Sequence, residues 1–332
     1  MPQFTGTYDA FDARGLREDL ADDIFRVTPS DTPFVSAIGR GTAKGVFHEW
    51  QTHALASVDT ANAQIEGDEF TYSDPAATVR VGNRTQILRK TYLISNTLEA
   101  VDKAGRDSEI AFNRVAKGLE LRRDIEAMCI GKNAASVTGN GTTARVSGSL
   151  SSWLTSNDNG TPGASPASRG TSGGAGGFTS GNTAAATDGT VRAFTQGMLD
   201  GVIGRMYDNS GMVDDVIGMA GRVQKTAWTN FDGIASQIQT NTKDRVIMAT
   251  ADVYASQFGN IKIMPNRYIR QTSSVDREVY LVRPAYAKLA VLRPIQEMRP
   301  AITGDAEKRV LLTECTLQVD NEAAHGVIAD LS

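Results

Sequence analysis

Cysteine and histidine are scarce in this chain, with two of one and three of the other in 332 residues. Cys129 and Cys315 lie far apart and each sits among apolar neighbours, which fits buried thiols in a reducing compartment better than a disulfide frame. So few soft ligands leave little material for a metal centre, and no cofactor is expected. No apolar run approaches the roughly 20 residues that a membrane span needs. The N-terminal MPQFTGTYDAFDARGL has neither a basic start nor an apolar stretch, so neither a membrane partner nor an export signal is expected. An excess of bases is missing too: 34 Lys and Arg against 38 Asp and Glu give a formal charge of -4, no field for wrapping nucleic acid.

What the chain does have is one long helical pattern between Gly105 and Gly131. Asp107 or Ser108 can accept from the free amides of its first turn, Glu109 suits its positive end, and Gly131 with Lys132 closes it. At 1.5 Å per residue such a helix is about 36 Å long. Glu109, Asn113, Lys117, Glu120 and Asp124 fall on one polar strip, while Phe112, Val115, Ala116, Leu119, Leu121, Ile125 and Met128 spread over the rest. Arg114, Arg122, Arg123 and Glu126 interrupt that apolar arc. A buried charge needs a partner, so Arg122 and Glu126 are candidate contacts to another element or subunit. An ordinary helix on a sheet, with long charged side chains snorkelling out, also fits.

With 40% hydrophobic and 22% charged residues the chain can bury a large core, in two domains or one elaborated one. Residues 1 to 40 read as an extended arm with one short helix over Asp12 to Phe25. Its Phe4, Tyr8, Phe11, Phe34 and Ile38 need a surface elsewhere. Gly45 to His53 and Thr78 to Ile94 alternate as strands and suggest a long hairpin. Between them runs ALASVDTANAQIEGDEFTYSDPAA, with little core-forming content and long enough to be functional or mobile. Asp59, Glu66, Asp68, Glu69 and Asp74 occupy this tip without a base among them, whereas Arg80, Arg84 and Arg89 follow on the returning strand. Copies lying side by side would attract through such polarity; a solvated loop with incidental charges is the alternative.

Beyond the long helix, Thr138 to Asp188 is so rich in Gly, Ser and Thr that only Leu150, Trp153, Leu154 and Phe178 can anchor it. It reads as a surface insertion, pinned at SSWL and mobile in its glycine-rich part. From Thr190 an α/β pattern begins, and the C-terminal strands, EVYLVR, KLAVLR, RVLLTECTLQV and one near AAHGVIADL, are expected to form the sheet beneath the long helix.

Catalytic signatures do not survive counting. His48, Glu49 and His53 mimic a zinc-protease motif, but the histidines are five apart in a strand-like segment and point to opposite faces. Gly139, Gly141 and Ala144 match a dinucleotide pattern without the helix that must follow, and GGAGG lacks the Lys-Ser/Thr of a phosphate loop. No enzyme is expected, although an α/β enzyme or nucleotide-binding protein with an unrecognised site in residues 190 to 285 is the competing class.

The opening block, FTGTYDAFDARGLREDLADDIFRVTPSDTPFVSAIGRG, and the order of elements after it resemble the major capsid proteins of tailed bacteriophages. The resemblance implies an α+β Hong Kong 97-type capsid fold. Its parts would be an N-terminal arm (1–40), an extended loop (41–95), a peripheral domain with spine helix (96–137), the Gly/Ser/Thr-rich insertion (138–189), an axial domain (190–285) and a return to the peripheral sheet (286–332). It also implies self-assembly as hexamers and pentamers into an icosahedral head made in the bacterial cytoplasm. Portal and scaffold or decoration proteins would be partners, with packaged double-stranded DNA touched only non-specifically. Another virion protein, of tail or decoration type, is a further alternative. No lysine lies between Lys44 and Lys90, so the lysine cross-link made by some capsids of this fold is not expected, nor is a fused scaffold before the arm unless the chain is already processed.

Overall fold

The structure, a computed structural model, describes residues 28–332 apart from 71, 104, 159–167, 170–172, 175, 212–213, 232–252, 270, 273–274 and 303. The helix expected over Asp12 to Phe25 and most of the glycine-rich stretch lie outside these residues. After a short helix α1 (Pro33–Ala37), strand β1 (Gly39–Thr42) leads into a hairpin of β2 (Phe47–Thr52) and β3 (Val79–Arg84), with Phe47 opposite Arg84 and Thr52 opposite Val79. Strand β4 (Gln86–Ser95) follows at once, but in another sheet. The single strand expected from Thr78 to Ile94 is therefore two. Thr85 makes the break: its amide donates to the Val46 carbonyl at 2.9 Å and its hydroxyl to the Glu314 carboxylate at 2.8 Å, so it belongs to neither ladder.

Helices α2 (Asn96–Ala100) and α3 (Glu109–Glu126) come next, and α3 runs into one π-helical turn over Ala127–Gly131. Helix α3 is the spine. Ser108 caps it by accepting from the Ala111 amide at 3.2 Å, one of the two caps expected. At its far end a side chain on Gly131 would meet the Tyr268 carbonyl at 2.1 Å, so glycine is required there by close backbone approach.

Helix α4 (Leu150–Trp153) is wholly buried and pins its segment as anticipated. Two small pairings follow, β5 (Ser168–Arg169) with β6 (Gly173–Gly174) and β7 (Gly177–Thr179) with β8 (Asn182–Ala184). The α/β part comprises α5 (Gln196–Ser210), β9 (Val216–Ala220), α6 (Arg222–Thr229), β10 (Val253–Ser256), β11 (Gly259–Pro265), a short β12 (Gln271–Thr272) and β13 (Val275–Asp276) pair, and β14 (Val279–Val282). Strands β15 (Ala287–Met298), β16 (Ala306–Val319) and β17 (Gly326–Ile328) complete the order.

Besides the two-stranded pairs, two larger sheets form, one in the order β1-β15-β16-β4 and one in the order β10-β11-β9-β14-β17. Not all C-terminal strands lie beneath the spine: β14 and β17 pair with each other in the second sheet, with Val279 opposite Ile328. A continuous core built from Phe34, Ile125, Cys129, Tyr280, Leu317 and Val327 joins α1, the spine and both sheets. A second cluster, around Leu199, Val202, Trp228 and Ile261, seats α5 and α6 on the α/β sheet. Both cysteines are buried and free, as their apolar neighbours suggested.

His325 is buried at the start of β17. Its Nδ1 accepts from the Arg283 amide at 3.2 Å and its Nε2 faces the Tyr286 carbonyl at 3.4 Å, an arrangement that suits the neutral ring. Burial lowers its pKa from 6.5 to about 4. A depressed folded pKa means that its contribution is present above the unfolded value and is lost as pH falls from about 6.5 through about 4, a swing of about 3 kcal/mol. The denaturant midpoint of a His325→Asn variant should accordingly vary less with pH across that window than that of the parent; equal pH slopes would show that the ring does not titrate on unfolding.

Candidate assembly interface

The hairpin that carries the expected contact residues has a rigid base. Asn83 is fully buried and acts as a knot: its Nδ2 donates to the carbonyls of Gly148 (3.0 Å) and Leu317 (2.8 Å), and its Oδ1 accepts from the amides of Gly148 (2.8 Å) and Arg84 (2.9 Å). It ties β3 to β16 and to the segment before α4. On the other strand, Trp50 lies 5.3 Å from Trp153 of α4, which stacks at 5.6 Å on Phe178 of β7. The shape-conserving Asn83→Asp variant would face two carbonyls with oxygens in place of the amide donor. It should lose about 2 kcal/mol, read as a fall in melting temperature; an unchanged melting temperature would show that the knot carries no energy.

Beyond Thr52 and Val79 the ladder ends, and every described residue from 53 to 78 is exposed. Asp59, Glu66, Asp68, Glu69 and Asp74 all stand in solvent on this loop. Two of them shape their own backbone, Asp59 accepting from the Ala61 amide at 2.8 Å and Asp68 from the Glu69 amide at 3.0 Å. Interleaved with the acids are five large apolar side chains, Leu55, Val58, Ile65, Phe70 and Tyr72, with exposures between 81% and 93%. Sequence reasoning passed over these five because they follow no strand or helix period. The signal was their presence in a long stretch with no period at all, where nothing in the same chain can bury them.

The expected basic partners are not equivalent. Arg80 pairs with Glu49 across its own hairpin at 2.6 Å, and the guanidinium of Arg84 lies over the Phe47 ring at 4.0 Å. Arg89 and Arg122 are exposed, without an ion-pair partner among the described residues. Glu126 is a different case and corrects an expectation. Rather than reaching another subunit, it is fully buried and accepts from the amides of Phe34 (2.8 Å) and Val35 (2.7 Å) and from Asn266 Nδ2 (2.8 Å). Burial pushes its carboxyl above the usual range, against the pull of these three bonds. It fastens the end of the arm to the spine and to the strand end at Asn266.

The spine also departs from expectation. Leu121 and Ile125 are buried, Leu119 is half-buried, and Phe112 and Val115 lie open at 40% and 58% exposure. The apolar arc is therefore covered only in its C-terminal half. His48, half of the false zinc motif, is bonded through Nε2 to Gln318 at 2.8 Å.

The hairpin base is locked by Asn83, every described residue of the loop is exposed, and the spine is exposed at Phe112 and Val115. The sequence profile of the SU10 major capsid proteins matches residues 3–332. The chain belongs to that family. As a major capsid protein it is a structural subunit of a phage head, and its place is the virion.

The major capsid protein of Escherichia phage Phieco32 is 37% identical over 125 residues, covering 38% of this chain and 36% of that protein, so the aligned part is about a third of the relative's length. Solved structures match over much more. A chain from Gordonia phage Cozz superposes with a TM-score of 0.60 at 11% identity over 100% of this chain and 97% of its own, and one from Mycobacterium phage Che8 with 0.58 at 13% over 95% and 97%. An encapsulin complex from Synechococcus elongatus PCC 7942 gives 0.54 at 9% over 96% and 93%. At such identities these likenesses show the fold, which is the Hong Kong 97 type expected.

Proposed function

We propose that this capsid protein closes a shell around double-stranded DNA by self-association, as hexamers and pentamers, with the loop of residues 53–78 reaching onto a neighbouring copy. The single observation that carries this reading is the loop itself, with five large apolar side chains and five acids uncovered by their own chain. Burying one such side chain contributes about 1.5–3 kcal/mol, so five of them repeated around a shell outweigh any single ion pair. Arg89 and Arg122 are the better basic candidates for the acids, because Arg80 and Arg84 are engaged within their own hairpin. In this reading residues 1–40 are the arm, 41–95 the extended loop, 96–137 and the β15–β16 pair the peripheral part, 138–189 the insertion, and 190–285 with β17 the axial part. DNA contact is non-specific, portal and scaffold or decoration proteins join the shell, and the chain performs no catalysis.

Replacing residues 55–76 by a short Gly-Ser turn tests it. Thr52 and Val79 already face each other in the ladder, so the hairpin can close and the variant should keep its circular dichroism. The parent should form very large particles by size-exclusion chromatography and negative-stain microscopy, and the variant should not. A parent that stays monomeric or dimeric under all conditions would favour the enzyme class instead.

A further inference from the structure

Gly139 and Gly141, which match a dinucleotide pattern only by their letters, lie at the tip of a small hairpin between the spine and α4. Val137 and Val146 close it, each amide donating to the other's carbonyl, at 2.9 and 3.2 Å. At the tip the Asn140 amide donates to the Thr143 carbonyl at 2.9 Å. Glycine is required at 139 for two reasons: φ there is +72°, and a side chain would meet the Arg145 backbone nitrogen at 2.9 Å. Gly141 has neither reason. Its φ lies outside the left-handed region, and nothing stands within 4 Å of where a side chain would begin. Nothing in the fold calls for glycine there.

What the missing side chain does is leave the amide nitrogen of residue 141 uncovered beside Asn140, and both residues are exposed. Asn140 itself is held. Its Oδ1 accepts from the amides of Thr142 (2.9 Å) and Thr143 (2.8 Å) and from the Thr142 hydroxyl (2.9 Å). Bonds to the two amides that follow Gly141 curl the side chain over the Gly141 peptide, the side from which that nitrogen reaches Cγ. Three donors on one oxygen also polarise the Cγ–Oδ1 bond and are already aimed where negative charge would develop, the arrangement that stabilises a tetrahedral intermediate in acyl transfer.

We infer that Asn140 is a self-modifying site: the Gly141 amide converts it to aspartate or isoaspartate, with the Thr142 and Thr143 donors as the oxyanion hole. Hydroxide takes the Gly141 N–H proton, the nitrogen attacks Cγ to form the new ring bond, and Oδ1 receives the electron pair as an oxyanion. When the carbonyl re-forms, the Cγ–Nδ2 bond breaks and Nδ2 leaves as ammonia with a proton from water, which restores the hydroxide. A further water opens the succinimide at Cγ to give aspartate, or at the Asn140 main-chain carbonyl to give isoaspartate. One water is consumed and one ammonia released, so no other reactant is needed. An aspartate at 140 offers the same three donors a charged oxygen, which keeps the turn and strengthens its bonds. Each converted subunit gains one negative charge at an exposed tip.

Incubating the full-length subunit at mildly alkaline pH, and following the peptide that contains Asn140 by mass spectrometry, tests this chemistry. Asn140 should exchange its amide for a carboxyl faster in the folded chain than in the same chain unfolded in guanidinium, where the three donors are lost. Thr142→Val keeps the shape and removes one donor, so it should slow conversion about fivefold. Gly141→Ala, which the open space tolerates, should slow it by covering the nitrogen, with circular dichroism unchanged. A folded chain that converts no faster than the unfolded one would overturn the inference, as would a Thr142→Val variant at the parental rate. Conversion unchanged by Gly141→Ala would mean direct hydrolysis by water, and would overturn it too.

Discussion

Replacing Glu126 by alanine is expected to lower folding stability by about 3–5 kcal/mol. Two carboxylate oxygens take three donors there, the amides of Phe34 and Val35 and the side chain of Asn266. Alanine would leave all three buried without an acceptor and open a cavity at the junction of arm, spine and α/β part. Glu126→Gln separates shape from chemistry. It keeps the volume but turns an NH2 group toward a donor, so it should recover the packing and still lose at least one hydrogen bond, about 1–3 kcal/mol. Urea unfolding of the unassembled subunit is the measurement. Two variants within about 0.5 kcal/mol of the parent would mean that the arm is held by Phe34 and Ile38 alone.

Legibility from the sequence tracked how local the cause was. The start of the spine could be read because Ser108 acts within a turn of its own position as a cap, whereas the glycine read as its stop signal, Gly131, is required by the Tyr268 carbonyl from a distant part of the chain. The break at Thr85 could not, since the partners that hold it, Val46 and Glu314, come from two other strands. Nor could the role of Glu126: its wheel position marked it as a charge inside an apolar arc that needed a partner, but nothing local showed that the partners were backbone amides 91 and 92 residues away. The charge polarity of the hairpin was visible, whereas its loop was read only as having little core-forming content, although five large apolar side chains stand beside the acids. Strand β17 reads like its predecessors and joins the other sheet because Val279 is its partner.

Reversing Asp59, Glu66, Asp68, Glu69 and Asp74 together to lysine should abolish assembly while leaving the subunit folded. All five are exposed and none has an ion-pair partner among the described residues, so their loss breaks no ion pair there. Asp59 and Asp68 also bond neighbouring amides, but within an exposed loop that no core depends on. One exposed ion pair is worth roughly 0–1 kcal/mol, and a single substitution should change little. Five reversals change the loop's charge by ten units and set like charges against Arg89 or Arg122 at every contact of a closed shell. The expected result is normal circular dichroism with no large particles at low salt, and partial return of particles as salt is raised, because screening weakens repulsion between charges near solvent while the apolar contacts of Leu55, Phe70 and Tyr72 persist. Assembly of this variant as efficient as that of the parent at low salt would show that the apolar side chains carry the contact alone and that the acids only face the solvent.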